Sequence, residues 1–152
     1  MWLLFLFILL AIAALFAFAL RSRTTGERAR FPFSQCRPLT EREQVLYWRL
    51  RKVLPGQMIL AQVAISRILR VDQGNDARAW LNRVNRMTVD FLVCLPDASI
   101  VAAIELDDAS YLAVDRITAD AKKEKALASA HVKLLRYREL PSEDEIRTAF
   151  LE

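Results

Sequence analysis

The N-terminal stretch from Trp2 to Leu20 contains nineteen residues and no polar side chain. A helix of this length, at about 1.5 Å of rise per residue, spans about 28 Å, close to the hydrocarbon thickness of a bilayer. Thirteen of these residues are Leu, Ile or Phe, and together they favour membrane insertion by about 4 to 8 kcal/mol. The run therefore predicts a transmembrane anchor over residues 1–20, with residues 2–20 in contact with lipid. A cleaved signal peptide is the alternative, but it requires a basic residue before a shorter apolar run.

Basic residues follow this segment and none precedes it. Residues 21–37 hold five arginines and one acidic residue, for a net charge of +4. The positive-inside rule then predicts a single-pass protein of the inner (plasma) membrane, with the N-terminus outside and the C-terminal domain in the cytoplasm. We expect the linker over residues 21–38 to contact anionic lipid headgroups through Arg21, Arg23, Arg28 and Arg30.

The rest of the chain is electrically balanced, because residues 38–152 hold 17 basic and 17 acidic side chains. The domain thus lacks the overall positive charge that drives nonspecific binding to DNA. Cysteines in the cytoplasm stay reduced, so Cys36 and Cys94 are expected to be free thiols.

Residues 39–152 predict one α/β domain. Thr40 and Glu43 form a capping box that starts a helix ending near Pro55. Pro96 to Ser99 separates two apolar strands and predicts a hairpin, and a long helix before the last strand predicts a parallel crossover. The result is a mixed four-stranded sheet flanked by helices, with strands over 58–65, 87–95, 100–107 and 132–137, helices over 40–54, 76–86, 112–130 and 142–151, and a helical turn over 66–71.

Three carboxylates interrupt or end the apolar strands. Asp90 lies inside one strand, Glu105 ends the next, and Asp107 follows Glu105 on the same face. Because the two strands form a hairpin, we expect Asp90 to lie across from Glu105. Grouped anions at the end of a buried sheet need a cation or hydrogen bonds to compensate them. Mg²⁺ is one such cation, since it accepts one or two carboxylates together with water.

The long helix carries a second set of polar groups at helical spacing. These groups form one stripe along the helix, and the stripe becomes apolar at its end. Within the stripe, Lys123 is expected to approach the carboxylates as a point charge. Gln62 and Arg136 are further polar residues inside apolar runs. The stripe consists of Arg116, Asp120, Lys123 and Leu127.

Structural roles compete with these assignments. Asp90 could form an ion pair with Arg86 or Lys123, and Glu43 is explained by its capping box. Gln62 is interpreted as a satisfied buried amide. A simple helical ion pair between residues four apart explains Arg116 and Asp120.

These residues in this order resemble the restriction-endonuclease-like, PD-(D/E)XK, superfamily. The resemblance is closer to a bacterial family of unknown function within it, akin to very-short-patch repair endonucleases. It covers about residues 38–140. The motifs are V-D-F with Asp90, I-E-L-D with Glu105 and Asp107, R-x-x-x-D-x-x-K from Arg116 to Lys123, and L-L-R with Arg136, preceded by Glu43 and Gln62.

The resemblance implies a restriction-endonuclease-like core and a nuclease site in which Asp90 and Glu105 bind Mg²⁺. The superfamily usually has Lys two residues after the strand glutamate, whereas this chain has Asp107, and Lys123 stands in for it from the helix. The expected function is that of a membrane-tethered cytoplasmic nuclease acting on nucleic acid. The alternative is a non-catalytic, membrane-anchored binding or interaction module that retains the nuclease fold.

Overall fold

The computed structural model describes residues 1–27, 31–107 and 114–151, with side chains for 1–19, 31–107 and 118–151. It divides into two compact units, Met1–Cys36 and Arg37–Glu152.

The first unit contains helix α1, Trp2–Glu27. Its window Trp2–Ala19 has a mean hydropathy of 2.8, and none of that window is buried against protein. This helix is long and apolar enough to cross a bilayer, as the sequence predicts. It extends past residue 20 into the segment assigned to the linker.

The second unit begins with α2, Glu41–Val53, and its start follows from local chemistry. The Thr40 hydroxyl accepts the backbone N–H of Glu43, and the Glu43 carboxylate accepts the backbone N–H of Thr40. This capping box satisfies two backbone donors that a helix start leaves unpaired. The buried residues of α2 are Leu46, Leu50 and Val53, which share one helical stripe.

The sheet has the order β1-β2-β3-β4. Strands β1 to β3 are antiparallel neighbours, whereas β4 is parallel to β3 and is reached through α5. The predicted hairpin, parallel crossover and mixed four-stranded sheet are thus confirmed. The bounds are β1 Met58–Ala64, α3 Ile65–Ile68, α4 Ala77–Asn82, β2 Thr88–Cys94, β3 Ile100–Leu106, α5 Val114–Ser129, β4 Leu134–Tyr137 and α6 Glu143–Leu151.

Both faces of the sheet are covered. Alternate residues of a strand point to opposite faces, so Phe91 joins the core formed with α2 and α6, whereas Leu92 joins a second core. That second core includes Leu127 of α5 and Ile65 of α3. The sheet is therefore the middle layer of a helix–sheet–helix arrangement, which holds the strand ends in fixed positions for the site described next.

The two cysteines are free thiols, as predicted. Cys36 is exposed and Cys94 is buried in β2.

Candidate functional site

Asp90 occupies the point of β2 where the ladder with β3 ends. Its Oδ2 accepts the backbone N–H of Leu106 at 2.8 Å. The ladder ends with the pair of Phe91 and Ile104, and Asp90 and Glu105 are the next residue of each strand. Continued by one residue, this register would place the two carboxylates across from each other on one face, as the sequence predicts. The charge of Asp90 also contributes to the raised pKa of Glu105. Among the described side chains Asp90 forms no ion pair with Arg86 or Lys123; a backbone hydrogen bond holds it instead.

Glu105 is the one buried charged residue among the described side chains of the domain, with 5% of its surface exposed. The Lys123 ammonium of α5 donates to Glu105 Oε1 in an ion pair that is largely removed from water. Lys123 lies one helical turn before the buried Leu127, so the same stripe that packs α5 on the sheet delivers its charge to Glu105. The predicted orientation of this stripe is confirmed for its members from Asp120 onward. The side chain of Arg116 lies outside the described residues.

Arg136 of β4 lies beside Glu105 in the parallel ladder. Its guanidinium is 3.6 Å from Glu105 Oε2, 4.0 Å from Asp107 Oδ2 and 3.9 Å from Asp120 Oδ2. These are ion-pair distances but too long for hydrogen bonds. Nε and Nη2 of Arg136 are buried without a hydrogen-bond partner among the described residues. The positive charge of Arg136 therefore offsets the negative charge of three carboxylates, while N–H groups on its Nε and Nη2 make no hydrogen bond among the described residues.

Burial raises the pKa of the Asp90 carboxyl, because loss of water disfavours its charged form. The N–H of Leu106 opposes this shift, and the nearby Glu43 carboxylate adds to it. Burial also raises the pKa of Glu105, against the opposing hydrogen bond and charge of Lys123. The two carboxylates are thus held in a place where their charge is costly, which favours an added cation.

Glu43 and Gln62 form a polar pair beside this cluster. The Gln62 amide donates to Glu43 Oε1 at 2.8 Å, while the other oxygen of Glu43 completes the cap of α2. The interpretation of Gln62 as a buried amide is wrong, because its side chain is exposed. Its backbone has φ of +51°, which interrupts the pleat of the edge strand β1, and the ladder has no Cα partner for it between Ala61 and Val63.

The carboxylate oxygens of this cluster determine which metal ion it could hold. Among residues 1–27, 31–107 and 114–151, no group of three or more His, Cys, Asp or Glu side chains is placed to hold one. Asp90 and Glu105 nevertheless offer two hard oxygen ligands on neighbouring strands, and Mg²⁺ commonly uses one or two carboxylates with water completing its shell. Two carboxylates match the number of protein ligands that Mg²⁺ commonly uses and are too few for the all-protein cage that Ca²⁺ prefers.

Sequence reasoning missed a cleft between the segment after β1 and α5, which basic and apolar residues line together. Its lining residues come from two segments about 50 positions apart in the chain, so no local pattern indicates the cleft. The basic character of the segment around Lys122 is the one feature of the sequence that could have pointed to it. Trp80 of α4 and Arg83 just after it, which lie in this cleft, were assigned only to a polar helix.

Residues 37–152 match the sequence profile of a family described as "Protein of unknown function (DUF2726)". The chain belongs to the DUF2726 family. The match starts at the residue where the second compact unit starts, and it contains every element from α2 to α6. The expectation of a family of unknown function is therefore confirmed for this DUF2726 protein. No curated protein and no solved structure matches the chain.

Proposed function

We propose that this DUF2726 protein is a membrane-tethered nuclease with a restriction-endonuclease-like core, which hydrolyses phosphodiester bonds of nucleic acid with the help of Mg²⁺. One observation carries the proposal: Asp90 and Glu105 lie at the same end of two adjacent antiparallel strands, with Lys123 in contact with Glu105. Acids with raised pKa values beside a half-buried lysine are typical of functional sites. The resemblance of the ordered motifs to the PD-(D/E)XK superfamily supports the same assignment.

Asp90 and Glu105 would hold the Mg²⁺ ion in this proposal. When bound, the ion supplies Lewis-acid activation of water and neutralises charge on the phosphoryl group. Asp90 is kept in position by the N–H of Leu106, which binds its Oδ2 and leaves Oδ1 as the oxygen proposed for the metal. Glu105 is kept in position by Arg136, its neighbour in the parallel ladder.

Lys123 is the proposed source of positive charge for the phosphoryl oxygens. A lysine ammonium is a compact charge on a flexible stem, so it can exchange a carboxylate oxygen for a phosphate oxygen with little movement of the helix. Asp107 is more exposed than Glu105 and lies 4.0 Å from Arg136. We assign to it the positioning of the attacking water, with Arg136 and Asp120 fixing its surroundings.

A second candidate is a non-catalytic, membrane-anchored binding module that retains the nuclease fold. It is favoured by the ion pair itself, because Lys123 occupies the Glu105 oxygen that a metal would use. Asp107 in place of the usual lysine also favours it.

Metal titration and cleavage distinguish the two candidates. The full chain in a nonionic detergent is titrated with Mg²⁺ or Mn²⁺ by calorimetry, then incubated with single- and double-stranded DNA and RNA. We expect metal binding and cleavage that are both lost in Glu105→Gln and retained in Glu143→Gln, a matched change on α6 whose carboxylate pairs with Lys52 and with no residue of the site. Absence of metal binding at millimolar concentration would leave only the binding module.

For the anchor we propose a single pass through the inner membrane, with the N-terminus outside and the α/β domain in the cytoplasm. Arginines confined to the C-terminal side of the apolar run support this orientation. The headgroups of anionic lipids are the proposed partners of Arg21, Arg23, Arg28 and Arg30.

Cys36 reports on this orientation, because it is exposed and follows the anchor, whereas Cys94 is buried. A membrane-impermeant maleimide is expected to label inverted membrane vesicles and to leave intact spheroplasts unlabelled. The Cys36→Ser variant is expected to abolish labelling, since burial also raises the pKa of the Cys94 thiol and lowers its reactivity. Labelling of intact spheroplasts would place the domain outside.

A further inference from the structure

A cleft of about 780 Å³ lies between the segment after β1 and α5, on the part of the chain from Leu69 to Ala130. Its volume is within the range of roughly 300–1,000 Å³ that is typical of ligand sites. One wall is formed by the loop after α3 and by α4, and the other by α5. The cleft shares no lining residue with the cluster of Asp90, Glu105 and Arg136.

The charged residues that line this cleft are mostly basic. Four cationic side chains and one carboxylate, Asp72, contribute to it. None of the four cations forms a salt bridge with a carboxylate in the described part of the chain. This local excess contrasts with the zero net charge of residues 38–152, so the charge is concentrated where the cleft is. The four are Arg70, Arg83, Lys122 and Lys125.

The cleft also contains an exposed aromatic ring. Trp80 has 49% of its surface exposed, and the guanidinium carbon of Arg83 lies 4.2 Å from its ring centroid. The contact orients the indole through a cation–π interaction. A ring held in this way within a basic cleft provides a stacking surface for a nucleobase, since aromatic stacking is tolerant of base identity.

Helix α5 connects this cleft to the proposed nuclease site. Lys123 points to Glu105, while its neighbours Lys122 and Lys125 line the cleft. A strand whose phosphates contact Lys122 and Lys125 is therefore held by the same helix that carries Lys123.

We propose that the cleft binds a single-stranded segment of nucleic acid, with one base stacked on Trp80 and phosphates on Arg70, Lys122 and Lys125. The bases of a duplex are stacked on one another, so only an unpaired base is free to stack on a surface ring. As the substrate-holding part of a nuclease this cleft rests on the proposed function, but binding itself needs neither metal nor cleavage.

The test is binding without metal. The full chain in nonionic detergent with EDTA is titrated into a fluorescently labelled single strand, into the matching duplex, and into labelled heparin as an unspecific polyanion. Fluorescence anisotropy at several salt concentrations gives the affinity and its salt dependence. We expect the single strand to bind more tightly than the duplex.

Two variants with matched controls locate the binding. Trp80→Ala is expected to weaken binding of the single strand about 5- to 150-fold, the effect of losing one stacked base. Trp48→Ala removes a more exposed tryptophan from α2, outside the cleft, and is expected to leave the affinity unchanged. Lys122→Gln with Lys125→Gln is expected to reduce the salt slope by about 1.4, whereas Arg51→Gln with Lys52→Gln is expected to leave it unchanged. All these positions are exposed, so the variants are expected to fold.

Three results would overturn the proposal. The first is equal affinity of the wild-type protein for single strand and duplex, and the second is an unchanged single-strand affinity in Trp80→Ala. The third is a Trp80→Ala variant in which the affinity for heparin falls by the same factor as the affinity for the single strand. The last two would make the cleft a general anion-binding surface, of the kind that also contacts acidic lipids. Failure of the nuclease assay with intact single-strand binding would refute the proposed function alone. A Trp80→Ala variant that still cleaves and binds the single strand as tightly as the wild-type protein would refute only the proposal that the cleft binds nucleic acid.

Discussion

The Asp90→Asn variant is expected to lose cleavage by about 10³-fold and at the same time to be more stable than the wild-type protein. The loss of rate follows because the variant removes one of two metal-binding carboxylates, and metal ions contribute several kcal/mol of charge stabilisation to such transition states. The gain in stability, on the order of 1 kcal/mol, is typical of replacing a strained functional group. Asn retains an oxygen that can accept the N–H of Leu106, so the strand contact survives.

The sign of the stability change follows from the raised pKa of Asp90. The folded protein binds the Asp90 proton more tightly than the unfolded chain, so the free energy of unfolding falls as the pH rises from the ordinary value of 3.8 through the folded-state pKa. The Asn variant has no carboxyl to ionise at this position, so its free energy of unfolding does not fall in this way as the pH rises. The stability difference between the two proteins is therefore expected to be absent below pH 3.8 and complete above the folded-state pKa of Asp90.

Urea unfolding of both proteins at several pH values, in the same detergent, measures this difference. Asp97→Asn is the matched control, because hydrogen bonds from Ser99 lower the pKa of Asp97. Its stability is expected to change in the opposite direction at neutral pH, and its cleavage to remain unchanged. If Asp90→Asn cleaves normally, or if it is less stable at neutral pH, Asp90 is a structural residue.

Much of the fold could be predicted because its signals are local. Thr40 with Glu43, and Ser142 with Glu145, mark helix starts by side chains that reach backbone groups three residues away, and both capping boxes are present. The parallel crossover followed from the length of the connection between β3 and β4. The extension of α1 to Glu27 was not predicted, because the change from apolar to basic residues marks the end of the apolar run and not the end of the helix.

The site could be predicted only where strand pairing or helical spacing determines position. Glu105 and Lys123 are found together because one ends a strand and the other lies on the stripe that packs against it. The exposure of Gln62 was missed, since its positive φ is a backbone property that no side-chain pattern indicates. The cleft was missed because Arg70 and Trp80 meet Lys122 and Lys125 only after the chain has folded.

The Phe91→Ala variant is expected to lower the free energy of unfolding by about 3–5 kcal/mol, the usual effect of deleting a fully buried aromatic ring. Phe91 has no exposed surface and packs in the core that joins the sheet to α2 and α6. Its ring centroid lies 6.3 Å from that of Tyr47. Because domains have net stabilities of only about 5–15 kcal/mol, this loss removes a large part of the total.

Denaturant unfolding measures this loss, with Phe33→Ala as the control. Phe33 is 83% exposed, and its removal is expected to change stability by less than about 0.5 kcal/mol. A decrease of less than about 1 kcal/mol for Phe91→Ala would show that the core around the ring collapses to fill the space or that the packing described for Phe91 is wrong.

Phe91 and Asp90 are adjacent on β2 but face different environments. Substitutions at the two positions are therefore expected to affect different properties, stability for Phe91 and cleavage for Asp90. Phe91→Ala weakens the whole domain, so its cleavage is expected to fall in parallel with the folded fraction as temperature rises, and to approach the wild-type rate at low temperature. Asp90→Asn is expected to stay inactive while fully folded. Cleavage that is lost from folded Phe91→Ala at low temperature would mean that this core determines the position of Asp90, and that the strand ends hold the carboxylates less firmly than the hydrogen bond to Leu106 indicates.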